Sequence, residues 1–336
     1  MVETPSSYRP PLWLRSPHVQ SLLGSSPLRM RHGARVLAAL GTQAETVVLD
    51  AGEGVRLQGV YNAVHAGGPH GLALLLHGWE GSAESSYMRL TAAKLLEAGF
   101  ATFRLNFRDH GDSYHLNPGL FHSNRIDEVV RAAVEVAKRH PIRPLVAAGY
   151  SLGGNFALRM ALRAPAAGLP LARVAAVCPL VDPAATMDAM ERGMPQYLRY
   201  FEHKWRRSLR RKRELFPQEH DFDDATLRLR MRDLTAWMVE RHTEFDDLGA
   251  YFDGYSIVGD RLAALQVPAD ILMAADDPVI PLRHFRELRP GGEVRLELAR
   301  HGGHCGFLEN RRFDGYAERW VAERLAAQGA AGPGLH

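Results

Sequence analysis

An apolar run that begins at Pro144 ends in Gly149-Tyr-Ser-Leu-Gly153, and a helix-like segment follows directly. Glycines two residues before and two residues after Ser151 predict a sharp corner between a strand and a helix, because a side chain at either position would have no room. Such a corner exposes the hydroxyl group of its serine. Ser151 is therefore the candidate nucleophile.

A glycine-rich corner at a helix N-terminus can instead bind phosphate. The dinucleotide-binding pattern Gly-x-Gly-x-x-Gly and the P-loop ending Gly-Lys-Ser/Thr both differ in spacing from this stretch. The sequence therefore favours the nucleophile, and partner residues elsewhere in the chain decide between the two interpretations.

Strand-like and helix-like segments alternate along most of the chain, which predicts an α/β fold with a mostly parallel sheet flanked by helices. The alternation is interrupted by a segment with helical patterns and no strand-like run. We expect four parts: an N-terminal arm packed on the core (1–42), a first core segment (43–182), a helical cap insertion (183–258) and a second core segment (259–336).

Composition excludes several classes of protein. The net charge of the 336-residue chain is only +3, too low to indicate a nucleic-acid partner. Two cysteines, Cys178 and Cys305, are too few for a disulfide framework and lack metal-site spacing. We find no targeting segment and no apolar run long enough to span a membrane. A cytoplasmic location is expected, with a peripheral contact at the inner membrane face as an alternative.

A serine nucleophile needs a base, and the base needs an acid that orients it. Asp276-Asp277 follows one predicted strand after the cap segment, and His301-Gly-Gly-His304 follows the next. The order Ser, Asp, His at strand ends is that of α/β-hydrolases. We choose Asp277, which stands directly before a Pro-containing turn, and leave Asp276 as a turn or hydrogen-bonding residue.

His304 is preferred over His301 because two glycines precede it and allow the loop to approach the serine. His301 is expected to be an exposed loop residue. The backbone N–H groups of Leu152 and Trp79 are the expected donors to the oxyanion.

Carboxylates and imidazoles between Asp109 and His115 suggest a metal site only weakly, because no ligand triad with a defined spacing is present. A polar loop beside the site explains this segment. We expect no metal and no cofactor.

The cap contains a helix-like stretch with an apolar stripe at Tyr197, Phe201, Trp205 and Leu209. Its other face is basic between residues 204 and 213. A solvated cap face is the favoured interpretation, contact with anionic lipid is the second, and a nucleic-acid surface is disfavoured.

The chain resembles the YheT-like α/β-hydrolases, which are related to the eukaryotic ABHD esterases and lipases. The resemblance rests on several motifs: Ser16-Pro-His-Val-Gln-Ser-Leu22, His77-Gly-Trp-Glu-Gly-Ser82, Asn106-Phe-Arg108, Gly149-Tyr-Ser-Leu-Gly-Gly-Asn155, Glu244-Phe-Asp-Asp247, Asp276-Asp-Pro278 and Gly302-Gly-His304. It implies carboxylesterase or acylglycerol lipase activity with Ser151, Asp277 and His304 as the triad. The chain departs from the family at Asp109-His110, where a glycine usually follows Asn-Phe-Arg.

The sequence as a whole predicts a serine hydrolase that acts on a small-molecule or lipid carboxylic ester. Amide hydrolysis or acyl transfer by the same triad, and a non-catalytic binding module on this fold, are the alternatives.

Overall fold

The computed structural model describes residues 1–63 and 68–327. These residues form a nine-stranded sheet flanked by helices. The strands are β1 (Val2–Pro5), β2 (Ala44–Asp50), β3 (Arg56–Asn62), β4 (Leu72–Leu76), β5 (Ala101–Leu105), β6 (Leu145–Tyr150), β7 (Leu171–Val177), β8 (Ala269–Ala274) and β9 (Val294–Ala299).

The described residues also form eleven α-helices. They are α1 (Pro17–Gly24), α2 (Pro27–Ala38), α3 (Ser86–Glu97), α4 (Ile126–Arg139), α5 (Leu152–Arg163), α6 (Pro183–Arg192), α7 (Pro195–Leu215), α8 (Met231–His242), α9 (Leu248–Tyr255), α10 (Arg283–Glu287) and α11 (Tyr316–Ala326).

The strand order is β1-β9-β8-β7-β6-β4-β5-β3-β2, and every pair from β1 to β5 along this order is parallel. Only β2 and β3 run antiparallel to their neighbours. The chain builds outwards from β4 to β5 and then returns to place β6 on the other side of β4. Ligands of such sheets bind at the carboxyl ends of the strands where the order reverses, so β4 and β6 mark the expected site.

The central strands are mostly apolar because both faces of the sheet are covered. All residues of β4, β6 and β8 are buried. The predicted mostly parallel α/β sheet is confirmed.

The N-terminal segment does more than pack on the core. Val2–Pro5 extends the sheet as β1, in parallel register with β9 from Val2 opposite Arg295 to Pro5 opposite Leu298. These four residues are exposed and include a proline, so their pattern gives no strand signal.

Four helices, α6 to α9, lie between β7 and β8, in the segment where the sequence predicts a cap insertion. The predicted core segments 43–182 and 259–336 include residues 64–67 and 328–336, which lie outside the described residues. Within the described ranges, no helix is both long and apolar enough to cross a membrane.

Candidate active site

Ser151 lies at the corner between β6 and α5, with φ of 53°. This left-handed conformation is strained for a residue with a side chain and is typical of functional corners. A Cβ at Gly149 would lie 2.1 Å from the carbonyl oxygen of Gly153, and one at Gly153 would lie 2.3 Å from that of Leu76. Both flanking glycines are therefore required by the close approach of backbone, including that of the neighbouring strand β4.

The structure brings the predicted serine, histidine and aspartate together. His304 Nε2 lies 2.9 Å from Ser151 Oγ, and His304 Nδ1 lies 2.9 Å from Asp277 Oδ2. The other carboxylate oxygen of Asp277 accepts hydrogen bonds from the N–H groups of Val279 and Ile280. The side chain of Asp277 is fully buried and fixed in orientation, so it holds His304 with Nε2 directed at the serine.

The electrostatics of this pair favour a protonated imidazole. Burial acts to lower the pKa of His304, but the Asp277 carboxylate more than offsets that effect and raises the pKa above its ordinary value. A base stabilised in this way accepts the proton of the serine hydroxyl more readily.

Asp276 and His301 form a second pair beside the first. Asp276 Oδ1 accepts a hydrogen bond of 2.9 Å from the N–H of Gly303, and its other oxygen lies 3.4 Å from His301 Nδ1. Asp276 is a hydrogen-bonding residue, as the sequence favours. His301 is not the exposed loop residue that was expected: it is partly buried, because it contacts this carboxylate.

The two predicted oxyanion donors lie next to the serine. Leu152 is the first residue of α5, and Gly78 places the loop after β4 against Ser151, since a Cβ at Gly78 would lie 3.4 Å from that of Ser151. Among the described residues, no protein acceptor takes the N–H of Trp79 or of Leu152. Both groups are therefore free to bind a substrate oxygen.

His77 orders the loop after β4, which carries the predicted oxyanion donor Trp79. Its Nε2 accepts from the N–H of Phe107, so its Nδ1 donates to the carbonyl oxygen of Gly78 at 2.7 Å. Burial lowers its pKa well below the usual value. This neutral ring supports the loop and does not reach the serine–histidine pair with a free nitrogen.

Helix α1 supports the loop that carries His304, a contribution that the sequence analysis missed. The N–H of His304 donates to Ser21 Oγ at 2.8 Å, and a Cβ at Gly303 would lie 2.3 Å from the carbonyl oxygen of Pro17. Ser21 lies within the Ser16–Leu22 motif, and this motif was the sequence feature that pointed to a role for α1. The two cysteines fix the other side of the loop: Cys178 Sγ donates to Gly303 O and Cys305 Sγ to Val177 O.

Asp109 and His110 have partners other than a metal ion. Asp109 Oδ1 accepts from Lys212 Nζ of α7 at 2.5 Å, and His110 Nε2 accepts from the N–H of Glu80. Asp109 has φ of 59°, a conformation that favours glycine, which accounts for the glycine usual in the resembling family. In the described part of the chain, no group of three or more potential ligands could hold a metal ion.

An apolar cavity of about 90 Å³ extends from Ser151 beneath the cap helices. Its wall includes Met187, Met190, Phe201, Met231, Met238 and Phe252. The rings of Phe201 and Trp205 pack on Trp79, with centroid separations of 5.4 and 5.5 Å. The predicted apolar stripe of α7 thus contacts the loop after β4 at Trp79.

The basic side of α7 is not one solvated face. Lys212 is buried against Asp109, and Lys204 Nζ donates to the carbonyl oxygen of Glu80. Arg206 and Arg213 bind other residues of the cap segment. Arg207, Arg210 and Arg211 are exposed.

The comparisons with known proteins agree with this fold. A family model described as "Alpha/beta hydrolase family" matches residues 73–319. The putative esterase YheT of Escherichia coli is 28% identical over 75% of this chain and 74% of its own length. Phospholipase ABHD3 of Mus musculus is 25% identical over 70% of this chain and 58% of its own length.

Solved structures show the same fold at low identity. An esterase from Pyrococcus furiosus superposes with a TM-score of 0.57 at 15% identity, over 86% of this chain and 91% of its own. The 2,6-dihydroxy-pseudo-oxynicotine hydrolase gives 0.59 at 20% identity, over 88% and 70%. With a parallel sheet, a serine at the β6 corner and a family match over most of its length, the chain belongs to the alpha/beta hydrolase family.

Proposed function

We propose that this protein is a serine hydrolase that cleaves carboxylic esters through an acyl-enzyme. The observation that carries the proposal is the continuous contact from Ser151 Oγ to His304 Nε2, and from His304 Nδ1 to Asp277 Oδ2, each 2.9 Å long. A serine hydroxyl becomes an effective nucleophile when a base oriented in this way can take its proton.

Each group has one role in the proposed reaction. Ser151 Oγ attacks the carbonyl carbon while His304 Nε2 takes the hydroxyl proton, and the N–H groups of Trp79 and Leu152 bind the resulting oxyanion. The intermediate collapses, the alcohol leaves with the proton from His304, and the acyl group remains on Ser151. A water molecule then gives a proton to His304 and attacks the acyl-enzyme, which releases the acid and restores the serine.

The cap cavity favours an acyl group of apolar character. Its wall includes the methionines Met187, Met190, Met231 and Met238, whose flexible side chains adapt to a flexible acyl chain. The names of the relatives, esterase and phospholipase, support esters of acyl lipids or short acids as the substrate class. Acylglycerols belong to that class.

Replacing the nucleophile tests the proposal. Ser151→Ala should lower kcat for p-nitrophenyl butyrate by about 10⁴-fold or more, because the remaining groups cannot form an acyl-enzyme. It should also abolish labelling by a fluorophosphonate probe. Ser256→Ala, a partly buried serine outside the cavity, is the control and should keep both properties. Turnover and labelling that survive in Ser151→Ala would show that another residue reacts.

We also propose a cytoplasmic location. Cys178 and Cys305 are both free thiols, as expected in a reducing compartment. Fractionation of cells that express the protein should recover its esterase activity with cytoplasmic markers, and recovery with secreted proteins would contradict the proposal.

A further inference from the structure

A second and larger cavity meets the apolar one at the nucleophile. Its volume is about 650 Å³, and the residues common to both linings are Trp79, Ser151, Phe201 and His304. A carbonyl carbon bound at Ser151 therefore has one cavity available for its acyl side and another for its alcohol side.

Helix α7 separates the two cavities and gives each a different surface. Phe201 and Trp205 line the apolar cavity. Tyr200, Lys204, Arg207 and Arg211, spaced by four, three and four residues, line the larger one. This spacing forms a single stripe of a helix, so three cations are directed at the larger cavity.

These cations are poorly neutralised by the protein. Within the described ranges, no carboxylate lies within ion-pair distance of Lys204 or Arg207, and Arg211 approaches only the exposed Glu214, at 3.6 Å. Glu80 is the one acidic residue among the described lining residues. Burial raises the pKa of Glu80 to about 7, and Ser208 Oγ donates to its carboxylate, so this residue offsets only part of the positive charge.

We propose that the larger cavity binds the alcohol side of the ester and selects an alcohol that carries a phosphate group. This inference rests on the proposed esterase function and adds the class of leaving group. Arginine guanidinium groups match phosphate oxygens in geometry as well as in charge, and a lysine adds a further donor. The apolar cavity receives the acyl group at the same time.

The test compares esters that differ only in charge. The wild-type kcat/KM for 1-butyrylglycerol 3-phosphate should exceed that for 1-butyrylglycerol by about tenfold or more, as expected for charge-assisted hydrogen bonds. In the double variant Arg207→Gln/Arg211→Gln the ratio of the two values should fall to about one. Arg210→Gln, an exposed arginine of α7 that does not line the cavity, is the matched control and should keep the wild-type ratio.

A second comparison, with a long-chain ester, distinguishes binding of the phosphate group in the cavity from attraction of the protein to a charged lipid aggregate. The preference should hold for both the soluble butyryl ester and 1-oleoylglycerol 3-phosphate. If only the oleoyl ester showed the preference and Arg210→Gln reduced it, the preference would come from binding of the protein surface to the lipid aggregate. That result would overturn the inference.

Different results would contradict the phosphate preference and the proposed esterase function. Equal rates for the phosphate and neutral esters in an enzyme that still hydrolyses p-nitrophenyl butyrate would overturn the inference alone, as would a preference that survives in the double variant. Loss of all ester hydrolysis, with no labelling of Ser151, would overturn the proposed function.

Discussion

Asp276 and Asp277 are adjacent in the chain, yet their carboxylates bind different parts of the site. Asp277 contacts the imidazole of His304, whereas Asp276 holds the backbone of Gly303 and contacts His301. Both carboxylates therefore contact the same loop. Asp277 contacts the imidazole ring of His304, and Asp276 contacts the backbone that supports this ring. Substitution of each in turn separates these two effects.

We expect Asp277→Asn to lower kcat for p-nitrophenyl butyrate by about 10³- to 10⁴-fold, because the amide does not stabilise the imidazolium. The carboxylate raises the pKa of His304, so its loss should move the acidic limb of kcat/KM to lower pH. In the wild type this limb should lie above the ordinary imidazole value of about 6.5. The pH–rate profile measures both effects.

The neighbouring substitution is the control for this experiment. Asp276→Asn should reduce kcat by less than about a hundredfold, since the reacting ring keeps its own carboxylate, and should leave the acidic limb in place. A larger loss in Asp276→Asn than in Asp277→Asn would exchange the two assignments.

At the scale of elements, α7 joins the cap to the core through buried polar contacts as well as apolar ones. Lys212 pairs with Asp109 and also donates to the carbonyl oxygen of Asn117, while Ser208 donates to Glu80 and contacts the hydroxyl of Tyr114. These partners lie on loops that follow β4 and β5. The cap helix is thus held over the loop after β4, which carries Trp79, and over the loop after β5.

Removing the cation should destabilise this attachment. Lys212→Met leaves Asp109 buried without its partner and should cost about 3 kcal/mol in the free energy of unfolding. Lys212→Met combined with Asp109→Gly should recover part of that loss, because the buried charge is gone and glycine favours the positive φ at this position. Denaturant unfolding measures both.

An exposed arginine of the same helix gives the baseline for these variants. Arg210→Met should change the free energy of unfolding by no more than about 0.5 kcal/mol. A Lys212→Met protein as stable as Arg210→Met would mean that the buried pair contributes nothing to holding the cap.

The sequence was informative where a local pattern carries the information. The Ser151 corner and the stripe from Tyr197 to Leu209 each depend on spacing within a short segment, and Asp277 and His304 were each indicated by the turn or the glycines next to them. The burial of Lys212 has no such pattern, because it depends on a carboxylate 103 residues away in the chain. Its place in a basic run predicts exposure.

At the scale of the whole molecule, the features that the sequence did not predict depend on contacts between distant segments. Strand β1 consists of exposed residues, and its pairing with β9 spans almost the entire chain. The contact of Ser21 with His304 joins residues 283 apart. The larger cavity likewise combines residues of the arm, the loop after β4 and the cap, so no single segment of sequence indicates it.

The exposed side chains around the larger cavity resemble a membrane-binding surface in composition. Met30 of α2 and Tyr200 of α7 are exposed and line this cavity, and Leu28 and Arg210 are exposed on the same two helices. Apolar side chains next to arginines are the composition that binds the interface of an anionic bilayer. We propose that the peripheral membrane contact considered for residues 204–213 is made by the exposed arginines of this segment.

We expect binding to vesicles that contain phosphatidylglycerol and none to vesicles of phosphatidylcholine alone. Arg210→Glu should weaken the binding about thirtyfold, since each charge near such a surface contributes about 1 kcal/mol and the substitution changes the charge by two units. Lys138→Glu, an exposed residue of α4, is the control with the same change in charge. Vesicle sedimentation measures the affinity, and equal binding to both kinds of vesicle would exclude an electrostatic contact.

The separation of the two cavities by α7 affects how products would leave the site and how water would enter it. In the proposed reaction, an ester bond cut at Ser151 would leave its two halves in separate cavities, because the two cavities share only the residues around the junction. The released alcohol would then depart without passing the acyl chain, and the space that it vacates would adjoin the proposed acyl-enzyme bond. Water for the second half of the reaction can therefore enter by the exit route of the first product, while the acyl chain stays in place.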